Sequence, residues 1–223
     1  MIRNNRAVSK LTGSRPWMML AAAVVLLAGL LFSAGQLRAE VIAPDQLIDQ
    51  VSTEVLTKIK ADPKIQAGDF SRISTLVDET IMPHVNFERM TALAVGRGWR
   101  AATPEQRAAL VKEFRILLLR TYSGAMSQLK DETVKMRPLR AKPGDDEVIV
   151  RSNIVGRGEP IQLNYRMEKL PDGWKIFDIN VLGVWLIETY RNQFKQIVNR
   201  DGVDGLLNTL VKKNQQFAQA SGS

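Results

Sequence analysis

The sequence predicts an α+β fold in which a curved antiparallel sheet of about four strands is covered by N- and C-terminal helices. Up to about residue 129, and again after residue 183, apolar residues recur at the 3.6-residue spacing of helices that bury one face. Between these regions the period changes to 2, and turn sequences separate the segments. Helices first, strands next and helices last predict helices packed on one face of the sheet.

The first 39 residues have the layout of a signal peptide, because basic residues precede an apolar run over residues 18–32. As a helix this run rises only about 22 Å, which is short of the roughly 30 Å hydrocarbon core of a bilayer. We predict cleavage after Ala39, which leaves one domain over residues 40–223. Cleavage after Gly35 and an uncleaved membrane anchor remain alternatives.

Composition excludes several classes of protein. Residues 1–39 hold five basic and no acidic residues, so their removal lowers the formal net charge from +8 to +3. The remaining charges are mixed along every predicted helix, and a nucleic-acid-binding protein would need a basic stripe. The chain has no cysteine, which excludes disulfides, a thiolate nucleophile and cysteine metal ligands.

Three helices are predicted before residue 96. The first spans residues 44–61 and ends before Pro63. The second begins at Asp69, whose side chain can cap it, and ends at Pro83. The third spans residues 86–95 and is also capped by its first residue.

The fourth helix has the clearest start, because Thr103, Pro104 and Gln106 form a capping box with proline at the first helical position. It continues to Leu129. Its apolar face is wider than a stripe, which indicates a central helix packed on two sides. Part of that face can also line a cavity.

Four strands are predicted, over residues 134–140, 147–155, 161–168 and 174–182. Proline, glycine and aspartate in the intervening segments are typical of turns, so the strands should form an antiparallel meander. Two helices follow, the first beginning near Val184 and the second capped by Asp201.

No catalytic or metal site is evident. His84 is the single histidine, and its place at a helix end indicates a capping or surface role. No serine lies in a nucleophile elbow, and a zinc site would need ligands that the sequence does not supply. The glycine pairs around Arg97 and Arg157 lack the phosphate-loop patterns and are interpreted as turns.

A series of short motifs runs through most of the chain after residue 86. They are Phe87-Glu88-Arg89-Met90, Gly96-Arg97-Gly98-Trp99-Arg100, Thr103-Pro104-Glu105-Gln106-Arg107, Phe114 with Arg120-Thr121-Tyr122, Tyr165, Gly173-Trp174-Lys175-Ile176-Phe177-Asp178, Gly183-Val184, Tyr190-Arg191-Asn192-Gln193-Phe194 and Gly202-Val203-Asp204-Gly205-Leu206. In order and spacing they resemble the MlaC family, the periplasmic phospholipid-binding components of the Mla lipid-transport system, also called toluene-tolerance proteins. The chain departs from that pattern at Gly98 and Trp185, where histidine and serine are common.

The resemblance implies a carrier without enzymatic activity or cofactor, in the periplasm, whose cargo is phospholipid. It implies transfer between an outer-membrane lipoprotein–porin complex (MlaA-like) and an inner-membrane ABC transporter with MCE-domain subunits (MlaD-like), which maintains outer-membrane lipid asymmetry. A monomer is expected, because a shuttle must leave one complex before it meets the next. Inside the fold, an apolar cavity should hold the acyl chains.

The residues predicted to line this cavity lie on the apolar faces of the meander and the flanking helices, and each could instead be ordinary core. They are Phe114, Leu118, Tyr122, Val150, Ile154, Leu163, Tyr165, Phe177, Ile179, Val181, Val184, Trp185 and Ile187. Arg97, Arg100 and Arg151 are predicted to contact the lipid headgroup or an acidic partner, because arginine forms paired hydrogen bonds to phosphate and carboxylate oxygens.

Two other functions remain open from the sequence. A cone-shaped α+β enzyme would need a polar pair inside its cavity, for which Asp178 and Tyr165 are the candidates. An adaptor would have a solid core without a cavity and would bind only through its surface.

Overall fold

The computed structural model describes residues 42–221, and the predicted signal peptide lies outside this range. In this range six α-helices precede the sheet: α1 (Pro44–Ala61), α2 (Pro63–Gln66), α3 (Phe70–Leu76), α4 (Phe87–Val95), α5 (Arg97–Ala101) and α6 (Pro104–Ser127). Within residues 42–221, no helix has both the length and the apolar character needed to cross a membrane.

The sheet is an antiparallel meander in which the strands pair in chain order. Its strands are β1 (Thr133–Met136), β2 (Glu147–Val155), β3 (Ile161–Leu170), β4 (Gly173–Val181) and β5 (Val184–Trp185), and the helix α7 (Leu186–Ser221) follows. The predicted α+β class and antiparallel sheet are confirmed. The first strand is shorter than predicted, and the two-residue β5 was not predicted.

Side-chain caps start three of the helices at the predicted residues. Asp69 accepts a hydrogen bond from the backbone N–H of Arg72 (3.1 Å), and Asn86 caps α4 in the same way. The capping box is complete, because the Thr103 hydroxyl accepts from the Gln106 backbone N–H (3.2 Å) and the Gln106 side-chain oxygen Oε1 accepts from the Thr103 backbone N–H (2.9 Å). Each such cap is worth about 1 kcal/mol.

The second predicted helix is not regular throughout. After α3 the chain continues as a π-helical turn over Val77–Ile81 and a 3₁₀ turn over Met82–His84. Pro83 has no N–H to donate to the carbonyl four residues earlier, and its ring clashes with that carbonyl, so a regular α-helix cannot continue through this point. His84 is half-buried at the end of the turn, and burial lowers its pKa.

A β-bulge in β4 shifts which residues face the helices. Arg166 pairs with Asp178 and Met167 pairs with Ile176, so Phe177 is the extra residue between them. A bulge bends its strand and increases the local twist. After the bulge, each residue of β4 lies on the face opposite to the one that strict alternation from the start of the strand would give it.

The helical part of the core centres on Phe114 of α6, which is fully buried. Its ring centroid lies 4.9 Å from that of Tyr190, 5.2 Å from that of Phe194 and 5.7 Å from that of Phe87. A second cluster joins α1 to the sheet, and a third joins α1, α2, α3 and α6.

Asp178 joins the sheet to the beginning of α7. One carboxylate oxygen accepts from the backbone N–H of Ile187 (3.1 Å), and the other accepts from Arg166 (2.9 Å). Burial raises the pKa of Asp178, and these hydrogen bonds oppose the rise. Farther along α7, Gly202 (φ 70°) interrupts the helix, in agreement with the two predicted C-terminal helices.

Candidate functional site

An apolar cavity of about 350 Å³ lies between the sheet and the helices. Its volume is within the roughly 300–1,000 Å³ typical of small-molecule sites. Of its 27 lining residues, all but Ser52, Arg115, Tyr122 and Tyr165 have apolar side chains. The cavity can therefore bury an apolar ligand and offers little to a polar one.

One wall of the cavity is the sheet. Ile161, Leu163 and Tyr165 alternate along β3 and therefore face the same side. Across the strand pair, Val181 is opposite Leu163 and Ile179 is opposite Tyr165. Each of these five side chains contributes to the lining.

The other walls come from the helices. The residues that they supply are Ile48, Val51, Ser52, Val55 and Leu56 from α1, Val77, Ile81 and Met82 from the turns after α3, Phe87 and Met90 from α4, Arg115, Leu118, Leu119, Tyr122, Ala125 and Met126 from α6, and Leu186 from α7. On α6 the buried Phe114 and Leu117 belong to the helical core, while Leu118 and Tyr122 face the cavity. This two-sided packing explains the wide apolar face of that helix.

The polar groups of the lining are paired or neutral. Arg115 is the one charged side chain of this lining, and it forms an ion pair with Asp78 of the π-helical turn. Burial raises the pKa of Tyr122 and Tyr165, so both hydroxyls remain protonated near neutral pH.

Seven of the thirteen residues predicted to line the cavity do so. They are Leu118, Tyr122, Ile154, Leu163, Tyr165, Ile179 and Val181. The structure therefore brings together predicted residues from α6, β2, β3 and β4.

The other six predicted residues lie outside the lining: Phe114, Val150, Phe177, Val184, Trp185 and Ile187. Phe114 and Ile187 fill the helical core, and Val150 packs with α1 in the second cluster. Phe177 is the bulge residue and lies 3.8 Å below the Arg89 guanidinium.

Val184 and Trp185 differ from the prediction because they form β5 and do not begin a helix. Val184 is 55% exposed. The Trp185 ring does not line the cavity. It lies 3.9 Å from the guanidinium of Arg166, which is paired with Asp178.

The cavity residues of α1 and of the π-helical turn were not predicted. In the sequence, Val51 and Val55 fall on the apolar face of the predicted first helix, which is an ordinary core pattern. Only long-range packing distinguishes an apolar side chain that lines a cavity from one that fills a core.

The three predicted contact arginines do not meet at the cavity. Arg97 and Arg100 line a separate cleft of about 510 Å³, together with Arg191 and Lys195. Among the ion pairs of residues 42–221, none involves these four cations. Arg151 lies elsewhere, beside Arg140 and Arg166.

The basic cleft, defined by Arg97, Arg100, Arg191 and Lys195, lies behind α4. The residues Phe87 and Met90 of α4 line the cavity, whereas Ala92, on the opposite side of the same helix, lines the cleft. A molecule in the cleft therefore leaves the cavity unobstructed.

The structure does not assemble the polar pair that an enzyme would need. Tyr165 faces the cavity, whereas Asp178 pairs with Arg166, the next residue along β3, whose side chain points to the opposite face. No group of three or more His, Asp or Glu side chains within the described range could hold a metal ion.

An antiparallel sheet covered by helices, with an apolar cavity between the two layers, defines an α+β protein built to enclose an apolar ligand. The family model described as MlaC protein matches residues 49–212. The chain belongs to the MlaC family.

Individual relatives agree with this assignment. The chain is 24% identical over 180 residues to the intermembrane phospholipid transport system binding protein MlaC of Haemophilus influenzae, covering 79% of this chain and 82% of the relative. It is 21% identical over 179 residues to a toluene tolerance protein of Pseudomonas putida, covering 77% and 83%. A phospholipid-binding protein from Ralstonia solanacearum, solved in complex with a phospholipid, is 42% identical with a TM-score of 0.77, covering 79% of this chain and 99% of that chain.

Proposed function

We propose that this protein is a periplasmic phospholipid carrier that holds acyl chains in the cavity and leaves the headgroup in solvent. The observation that carries the proposal is the composition of the lining, with 23 apolar side chains among 27 and its one charge already paired. The similar Ralstonia protein, solved with a phospholipid, supports the same cargo.

The free energy of acyl-chain hydration explains why a carrier is needed. Burial of one methylene is worth roughly 0.8 kcal/mol, so two ordinary tails cost on the order of 20 kcal/mol to expose to water. Free diffusion of phospholipid across an aqueous compartment is therefore negligible. A protein cavity replaces the bilayer as the surroundings of the tails.

The carrier moves phospholipid between an outer-membrane lipoprotein–porin complex and an inner-membrane ABC transporter with MCE-domain subunits, and so maintains lipid asymmetry. It reaches the periplasm by means of its signal peptide, acts as a monomer, performs no covalent chemistry and uses no cofactor. Membership of the MlaC family and the absence of an assembled Asp178–Tyr165 pair support this function.

Native mass spectrometry of protein purified from the periplasm without detergent tests the cargo. We expect a mass excess equal to one or two phospholipids, and extraction with organic solvent should return the same lipids. Protein with the apo mass and no extractable lipid would contradict the proposal and would favour an adaptor that binds only through its surface.

We propose the basic cleft as a contact for an acidic partner surface rather than for the lipid headgroup. Four cations around one concavity raise the local positive potential, and carboxylates are their natural ligands. Partner binding there leaves the cavity open because α4 separates the two sites.

Reversal of two of these charges, Arg97→Glu with Arg100→Glu, should weaken binding to the purified MCE-domain subunit about tenfold at low salt, with less effect at high salt. Lipid content should not change. The control Lys212→Glu with Lys213→Glu makes the same charge change on the exposed surface of α7. Equal weakening by both double variants would assign the effect to net charge and contradict the proposal.

A further inference from the structure

The turn between β4 and β5 has an unfavourable residue at its first position. The two central residues, Leu182 (φ 51°) and Gly183 (φ 90°), both have positive φ, as in a type I′ hairpin turn. Such turns favour asparagine, aspartate or glycine, because other side chains are strained in this conformation. Leu182 is the only non-glycine residue with positive φ in the range 42–221.

The same turn exposes apolar side chains to an unusual degree. Leu182 is 65% exposed and Val184 is 55% exposed, whereas the other exposed large apolar residues in the described part of the chain reach at most 39%. Leu182 is therefore unfavourable for its backbone conformation and also gains little from burial. Fold stability alone does not account for a leucine at this position.

Val184, the second residue of this exposed pair, lies next to the cavity wall. Val184 is the cross-strand partner of Val181, so the two side chains lie on the same face of the sheet. Val181 lines the cavity opposite Leu163. An apolar surface thus extends from the cavity wall through Val181 to the edge of the sheet.

The charge around this pair indicates what it contacts. Residues 179–187 contain no charged side chain, and two charges next to this segment, Asp178 and the Arg166 guanidinium beside Trp185, are paired with each other. Contact with an anionic bilayer usually relies on lysine or arginine next to the apolar residues. A neutral apolar element is better matched to an apolar opening in a protein.

We propose that Leu182 and Val184 seat against an apolar opening of the acceptor protein, so that acyl chains pass from the cavity to the acceptor without contact with water. This inference rests on the proposed carrier function. According to this inference, the strained turn is needed for the transfer of lipid to the acceptor and not for holding lipid in the cavity.

The test uses Leu182→Asn, which places the preferred residue in the turn and removes the apolar side chain, and Val184→Thr, which keeps the shape of valine in β5. Each variant, loaded with a fluorescent phospholipid, is mixed with the purified MCE-domain subunit and, separately, with protein-free phosphatidylethanolamine–phosphatidylglycerol vesicles. The control is Val211→Gln, a half-exposed valine of α7 away from the cavity.

We expect Leu182→Asn to retain wild-type lipid content and a melting temperature at least as high as wild type, while transfer to the MCE-domain subunit slows at least tenfold. Val184→Thr should slow it severalfold, and Val211→Gln should not. Unchanged transfer in the first two variants would overturn the inference. Equal slowing of transfer to vesicles would also overturn it and would identify a bilayer as the contact. The lipid content of the wild-type protein is measured first, and an absence of lipid there would contradict the proposed carrier function itself.

Discussion

Substitution of Leu163 by glutamate is expected to empty the cavity of lipid while the domain remains folded. Leu163 is half-buried in the middle of the sheet wall, opposite Val181, where a carboxylate would face the acyl chains. Burial of an unpaired charge against apolar groups costs several kcal/mol, whereas in the empty cavity water can solvate the carboxylate. Bound lipid per protein, measured after solvent extraction, should fall at least tenfold.

The matched control is Gln162→Glu, which makes the same charge change one residue earlier on the exposed face of β3. It should retain wild-type lipid content. Val150→Glu is a poorer test because Val150 is 1% exposed within the core, so that variant should fail to fold. A folded Leu163→Glu protein with normal lipid content would show that the acyl chains lie elsewhere.

The largest effect on stability is expected from Phe114→Ala. Phe114 is fully buried, and its ring packs against Phe87, Tyr190 and Phe194. Removal of a phenylalanine side chain from a packed core costs about 3–5 kcal/mol, because burial is lost and a void remains. Urea denaturation of delipidated protein should show a decrease of this size in the free energy of unfolding.

Leu118→Ala provides the comparison, since Leu118 lies about one turn along α6 but faces the cavity. Its side chain is half-buried and borders a space that already exists, so its loss should destabilise the delipidated protein less. Similar destabilisation by the two substitutions would contradict the division of α6 into a core face and a cavity face.

Much of the fold could be predicted because its signals are local. The capping box at Thr103, the cap at Asn86 and the turn before Gly173 involve residues within a few positions of one another, and all lie where the sequence places them. The exceptions are also informative. The π-helical turn after α3 has no local sequence pattern of its own and places Val77 and Ile81 in the cavity wall, and the two-residue β5 exists only because β4 is there to pair with it.

The site was harder to predict because a strand pattern gives the face of a side chain but not its depth. Val150 and Ile154 lie on the same face of β2, yet the first fills the core beside α1 and the second lines the cavity. Strict alternation in β4 places Phe177 with Ile179 and Val181. The bulge at Phe177 breaks that alternation and turns this side chain towards Arg89 instead.

The sequence by itself determined the α+β class, the order of the helices and strands, and the family, because these depend on short-range periodicity, caps, turns and motif order. Only the tertiary structure decided where the core stops and the cavity begins, that the basic cleft lies on the opposite side of α4 from the cavity, and that Val184 lies beside the cavity residue Val181. Those features depend on how closely distant elements approach one another, and a void is defined by several walls that share no local pattern.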